Sequence, residues 1–188
     1  MFYAGIGSRE TPVDWCNVFT HIARELSQKY GAVLRSGHAD GADWAFEDGC
    51  NQVYGKKEIF LPWRMFNNSN SDLVVVDPDA FRIAEQYTLY WSSLKDSVRK
   101  LFARNAHQVL GWSLDSKSDF VVCWTKDGKD VGGTRLALAI AKANGVQIFN
   151  AGFYGNDYQR FINDVITYAD SVYTGYSDGG IPCNMYTV

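Results

Sequence analysis

Three glycine-rich segments hold most of the residues in this 188-residue chain that could do chemistry: Gly5-Ile6-Gly7-Ser8-Arg9, Ser36-Gly37-His38-Ala39-Asp40-Gly41-Ala42-Asp43 and Gly132-Gly133-Thr134. Glycine lets main-chain N–H groups approach an anion, and a helix N-terminus behind such a loop adds partial positive charge. In the third segment, Gly132 and Gly133 can curl around a phosphate while the Thr134 hydroxyl caps or donates; a plain glycine turn before a helix would use the same residues. In the first, Gly7 opens the turn, and Ser8 and Arg9 supply donors, in pairs from the guanidinium. Position 10 is Glu, so a full G-x-G-x-x-G dinucleotide fingerprint is absent. In the second, Asp40 and Asp43 are the candidate catalytic carboxylates: they could accept from ribose hydroxyls, act as a general base, or hold Mg²⁺ through water. Asp40 could equally cap a helix, and His38 alone says little about acid–base work. Ser36 and Gly37 shape the entry to that loop. Arg104 and Asn105, near the end of a long helix, join the set if that end faces the loops.

These segments fall where strands hand over to helices. Phe2 to Ile6 reads as a first strand. Thr11-Pro12-Val13-Asp14 then starts a helix, with Thr11 as cap and Pro12 in the first turn. Its apolar positions Trp15, Val18, Phe19, Ile22 and Leu26 keep a helical period, and Gly31 stops it. Residues 32–35 form the second strand. Ala42, Ala45, Phe46 and Gly49 form a small-residue helix face, and residues 58–61 the third strand. Asn67 to Asp72 is polar turn material, and Leu73 to Val76 could be a short strand. Helical periods return at Ala80, Ile83, Ala84 and Tyr87, and again from Ser93 to Leu110 with Leu94, Val98, Leu101, Phe102 and Val109 inward. Residues 120–124 are a buried strand, 134–144 an alanine-rich helix closed by Gly145, 146–150 a last strand, and 157–168 a further helix. The segment after Asp170, rich in Tyr and Gly, has no clear period. Strand–helix alternation of this kind implies an α/β, Rossmann-like three-layer sandwich with a mostly parallel sheet, in a single domain across 1–188. Loops at the carboxyl ends of such strands converge on one crevice.

Composition narrows the ligand. The chain is 46% hydrophobic and 15% aromatic, enough for a sizeable core, with aromatic surface left for base stacking or an oligomer interface. A net charge of -3 argues against broad duplex binding, which needs a basic face, but not against a small anion held by a few arginines. No apolar run approaches the ~18 residues of a membrane span, and no leader pattern opens the chain, so a cytoplasmic protein is expected. Cys16, Cys50, Cys123 and Cys183 lie far apart without a C-x-x-C pair and read as reduced structural thiols. No metal and no cofactor are expected. His21 and His107 read as satisfied helix histidines. Trp63 and Arg64 stand where a base could stack, with Trp44 also near a loop, whereas Trp124 reads as core.

Leu34-Arg35-Ser36-Gly37-His38-Ala39-Asp40-Gly41-Ala42-Asp43-Trp44-Ala45 resembles the SG-x-A-x-G-(A/I)-D-x-x-A segment of the SLOG superfamily. Arg104-Asn105 with residues 118–122, and Gly132-Gly133-Thr134 with Ala137, Ala141 and Gly145-Val146, resemble two further segments of its small single-domain branch. That superfamily contains the DNA-processing protein A domain, nucleotide phosphoribohydrolases and sensor domains of nucleotide signalling; the likeness spans Met1 to about Asn150. It implies a nucleotide or nucleotide-derived signalling molecule in the crevice, bound by a sensor or sequestering protein. A second expectation is an N-glycosidase acting on nucleoside monophosphates, but the glutamate that the phosphoribohydrolases use three residues after the loop threonine is here Ala137. A third is a single-stranded DNA accessory protein, which the acidic balance does not favour. Exposed aromatics and the helices between Asp79 and Leu110 suggest a homo-oligomer.

Overall fold

The structure, a computed structural model, describes residues 1–177. Five parallel strands, β1 (Phe2–Gly7), β2 (Val33–Ser36), β3 (Lys57–Ile59), β4 (Phe120–Trp124) and β5 (Gln147–Asn150), pair in the order β3-β2-β1-β4-β5. Helices α1 (Val13–Tyr30), α2 (Ala42–Asn51), α3 (Pro78–Gln86), α4 (Asp96–Leu110), α5 (Thr134–Ala143) and α6 (Tyr158–Ser177) cover both faces. The chain winds outward from β1 through β2 to β3, then crosses back to build β4 and β5 on the other side. The strand order therefore reverses between β1 and β4, where doubly wound sheets bind ligands.

Side chains alternate across the sheet. Tyr3, Leu34, Phe120 and Val122 meet Phe19, Phe46 and Phe161 of α1, α2 and α6, with Phe19 and Phe46 stacked at 4.5 Å. Ala4, Ile6, Val121 and Cys123 meet alanines of α3, α4 and α5 on the opposite face. Two glycines serve this packing. A Cβ at Gly5 would lie 2.6 Å from Phe46 Cγ, and one at Gly49 would lie 2.1 Å from the Thr20 carbonyl oxygen. The small-residue face of α2 thus packs on α1 as well as on the sheet.

Several elements differ from the sequence expectation. Thr11 does not cap α1; its hydroxyl donates to the Ser8 carbonyl at 2.6 Å, and Pro12 precedes the first helical residue. Leu73 to Val76 forms only a single bridge, Val74 to Leu61, because Asp77-Pro78 starts α3 at once. Helix α4 begins at Asp96; a 3-10 turn at Trp91–Ser93 and an extended Leu94 precede it. Its last two turns are wholly buried, polar side chains included. Helix α6 runs nine residues beyond Tyr168, to Ser177, since Val172 is buried and Tyr173 packs on Tyr30 at 5.5 Å. The rest of the Tyr- and Gly-rich segment, with Cys183, lies outside the described residues. Cys16 and Cys50 sit in α1 and α2 and Cys123 in β4, all as free thiols. Among the described residues no helix is long and apolar enough to cross a membrane.

Candidate functional site

Where β1 and β4 part, the segments that follow them diverge around a crevice of about 490 Å³. The loop after β1 supplies Gly7, Ser8 and Arg9. It is tied down by Ser8 N donating to the Trp124 carbonyl at 3.2 Å, while the Ser8 carbonyl accepts from Thr11 N and Oγ1 and from Ala42 N. The loop after β4 supplies Thr125, Lys126 and Val131–Thr134. Gly132 has φ +66°, a left-handed turn that delivers the chain to α5 at Thr134. Gly133 and Thr134 stand at the start of α5, where free main-chain N–H groups accumulate.

Asn150, at the end of β5, pins this second loop. Its Oδ1 accepts from Thr125 N and Gly152 N, each at 3.1 Å. Its Nδ2 donates to Thr125 Oγ1 at 2.6 Å and to the Gly128 carbonyl at 3.3 Å. Three of the four hydrogen bonds of this buried amide go to the loop after β4, and the fourth closes the turn after β5.

The floor comes from α4, which presents Leu101, Phe102, Arg104, Asn105 and Gln108. Asn105 Nδ2 donates to the Gly133 carbonyl at 2.9 Å, so this side chain holds the glycine loop. Arg104 is 8% exposed; its Nη1 donates to the Gly37 carbonyl at 2.8 Å, its Nη2 lies 4.0 Å from Asp43 Oδ2, and its Cζ sits 5.5 Å from the Phe66 ring centre. Arg104 Nε and Gln108 Nε2 are both buried donors without a partner. Two such orphans side by side are costly unless a ligand or water completes them.

Asp43, at the first turn of α2, accepts from Ala39 N at 3.4 Å. Burial pushes its carboxyl above the ordinary range, and Arg104 with the neighbouring main-chain N–H groups pulls it only part of the way back. Burial likewise draws the Arg104 guanidinium below its ordinary value; Asp43 opposes that and Arg9 adds to it. The guanidinium remains charged at any pH of interest. The crevice is thus lined by three cations, Arg9, Lys126 and Arg104, and two acids, Glu10 and Asp43.

Nine of the thirteen candidate binding residues line this crevice: Gly7, Ser8, Arg9, Asp43, Arg104, Asn105, Gly132, Gly133 and Thr134. The other four do not. Ser36 is buried and its Oγ donates to the Gly5 carbonyl at 2.7 Å, joining β2 to β1. Gly37 packs under Arg104 and accepts its hydrogen bond. His38 and Asp40 face a separate hollow with Gly41, Trp44 and Asn67. Asp40 is exposed and does not cap α2, whose cap position is Gly41. Of the two candidate catalytic acids, only Asp43 reaches the crevice. Ala137 lines it too, so no carboxylate stands at that place.

Three contributors escaped the sequence reading. Gln108 follows Arg104 by one helical turn, and that spacing places both on one face of α4. Lys126 and Asn150 carry no local signal. His107 is buried with Nδ1 against the Gly111 carbonyl at 3.1 Å, but its Nε2 has no partner, so it is only half satisfied. His21 Nδ1 meets Arg24 Nη2 at 3.1 Å. Trp124 is half-buried against the core, while Trp63 is partly exposed and edge-on to Phe66.

Comparison with protein-family models finds no match, and comparison with curated proteins finds none either. Among solved structures, the chain is similar to DNA processing protein A from Helicobacter pylori, a structure described for its single-stranded DNA binding mode. The TM-score is 0.53 at 22% identity, over 89% of this chain and 80% of that one. The two share a fold.

Proposed function

We propose that the crevice binds a nucleotide or nucleotide-derived molecule through its phosphate, as a sensor or sequestering protein of the SLOG type. The observation that carries this reading is the pair of buried, unpartnered donors, Arg104 Nε and Gln108 Nε2, on a floor enclosed by two glycine loops and the start of α5. Buried donors left without acceptors favour a ligand rich in anionic oxygens. Arg9, Ser8 and the N–H groups at Gly133 and Thr134 would meet a phosphate from the other side. Leu101, Phe102 and Val131 give an apolar flank for a base. Hydrolysis of a glycosidic bond is the weaker reading, because Ala137 leaves Asp43 and Glu10 as the crevice acids.

The fold likeness favours a second reading, single-stranded DNA in the same crevice. The net charge of -3 had argued against nucleic acid, but a single strand needs only a local cationic groove, and Arg9, Lys126 and Arg104 supply one. The test is incubation of purified protein with nucleoside monophosphates, deoxynucleotides, NAD and ADP-ribose-type molecules, with mass spectrometry of bound and free fractions. Retention of an intact nucleotide, lost in Arg104→Met, supports the proposal. Free base in solution replaces binding with hydrolysis. No retention, with salt-sensitive capture of an oligonucleotide instead, moves the function to the second reading.

A further inference from the structure

The hollow beside the crevice, about 320 Å³ and lined by His38, Asp40, Gly41, Trp44 and Asn67, shares no lining residue with it. We infer that it is a second nucleobase site, taking the base next to the nucleotide held in the crevice. The inference rests on the nucleotide reading of the crevice and extends it to a ligand of at least two bases.

The first argument is the platform. Trp44 is 52% exposed although it sits in the first turn of a helix packed into the core. Its ring contact with His38 is T-shaped, at 5.3 Å and 75°, so no ring lies parallel-stacked on the indole there. A half-exposed indole with no parallel-stacked partner suits base stacking.

The second argument is rigidity. His38 has φ +56° and its Nδ1 bonds Glu47 Oε2 at 2.6 Å. Glu47 Oε1 in turn accepts from Lys57 Nζ at 2.7 Å. From the far side, Asn67 Nδ2 donates to the His38 carbonyl at 3.1 Å. The wall behind Trp44 is therefore fixed by β3, α2 and the loop after β3.

The third argument is charge. Glu47 is ion-paired with Lys57 and hydrogen-bonded to His38, whereas Asp40 is exposed with no ion-pair partner among the described residues. A free carboxylate repels phosphate but accepts from an exocyclic amino group, as acids do with cytosine. The hollow thus fits a base and excludes a backbone phosphate, which is the complement of the cationic crevice.

The fourth argument is position. One short segment walls both sites: Ala39 and Asp43 face the crevice, while His38, Asp40, Gly41 and Trp44 face the hollow. The two sites thus share one loop as a common wall.

The experiment measures Kd for a nucleoside monophosphate, its 5′-phosphorylated 3′–5′ dinucleotide and a 5′–5′ dinucleotide. The proteins are the wild type, Trp44→Ala, Trp44→Phe, Asp40→Asn and Arg104→Met. The wild type is expected to bind one dinucleotide at least about fivefold tighter than the monophosphate, the low end of a stacking contribution. Trp44→Ala removes that margin without moving the monophosphate Kd, and Trp44→Phe keeps most of it. Asp40→Asn narrows the margin for cytosine and leaves that for thymine. Which dinucleotide gains tells a strand from a 5′–5′ linked molecule. Equal binding of mono- and dinucleotides by the wild type, or an equal loss of both in Trp44→Ala, overturns the second site while the crevice reading stands. No binding of any of them, or binding indifferent to Arg104→Met, overturns the crevice reading and this inference together.

Discussion

The substitution Asp43→Asn tests the electrostatics of the crevice floor most directly. Asp43 and Arg104 face each other at 4.0 Å with side chains 3% and 9% exposed, so solvent screens them little. Their attraction at that distance is about 4 kcal/mol at an effective dielectric of 20. Removing one carboxylate from water costs several kcal/mol, so the balance is close, and the upward displacement of the Asp43 carboxyl says that burial wins. Each unit of that displacement is about 1.4 kcal/mol by which the folded state prefers the neutral acid. The loss of attraction to Arg104 is already contained in it, because the protonated acid loses the same partner. The sign follows. A carboxyl with its folded pKa above the unfolded value gives stability that is present below the unfolded pKa, near 3.8, and is lost as pH rises through the folded pKa. Asparagine mimics the neutral acid at every pH. Asp43→Asn is therefore at least as stable as wild type at pH 7, and its advantage shrinks as pH falls towards 4. Urea denaturation of both proteins from pH 4.5 to 8, with m-values compared, reads this difference. Other titrations cancel in it. An Asp43→Asn protein less stable than wild type at pH 7 by about 1 kcal/mol or more, at unchanged m, would refute the reasoning and mean that attraction to Arg104 outweighs the cost of burial.

Burial holds the His107 imidazole below its ordinary value of 6.5. Its stability contribution is complete above that value and is lost as pH falls through it, so wild-type Tm drops between pH 7.5 and 5.5 by more than that of His107→Leu. Asn150→Ala strips the Thr125 and Gly152 N–H groups of their acceptor and should cost about 1–3 kcal/mol in chemical denaturation. It should also weaken nucleotide binding, although Asn150 does not line the crevice. Gly49→Ala would gain about 0.5–1 kcal/mol in helix propensity. The new methyl, however, meets the Thr20 backbone at 2.1 Å, so calorimetry should show a net loss, on the scale of about 1–3 kcal/mol for overpacking. A Tm at or above wild type in that variant would mean that α1 and α2 can move apart freely.

Much of this molecule is legible in the order of its residues. Short apolar runs locate β1, β2 and β4, and their alternation with helical periods implies the parallel sheet, because period and length are local properties. The glycine loops, with Arg104 and Asn105, named most of the crevice for the same reason: close main-chain approach needs particular residue types in particular places. What the sequence could not separate was His38 and Asp40 from Asp43. They lie within six positions, yet the segment alternates between its two sides, with Ala39 and Asp43 on the crevice and His38, Asp40 and Trp44 on the hollow. Nor could it tell that Gly5 serves the core against Phe46, or that the polar residues near the end of α4 point inward. It could not connect Asn150 to a loop 25 residues earlier. Each of these depends on what another element brings within 3 or 4 Å. Local pattern sets which way a residue can face, and only the packed sheet decides what it meets there.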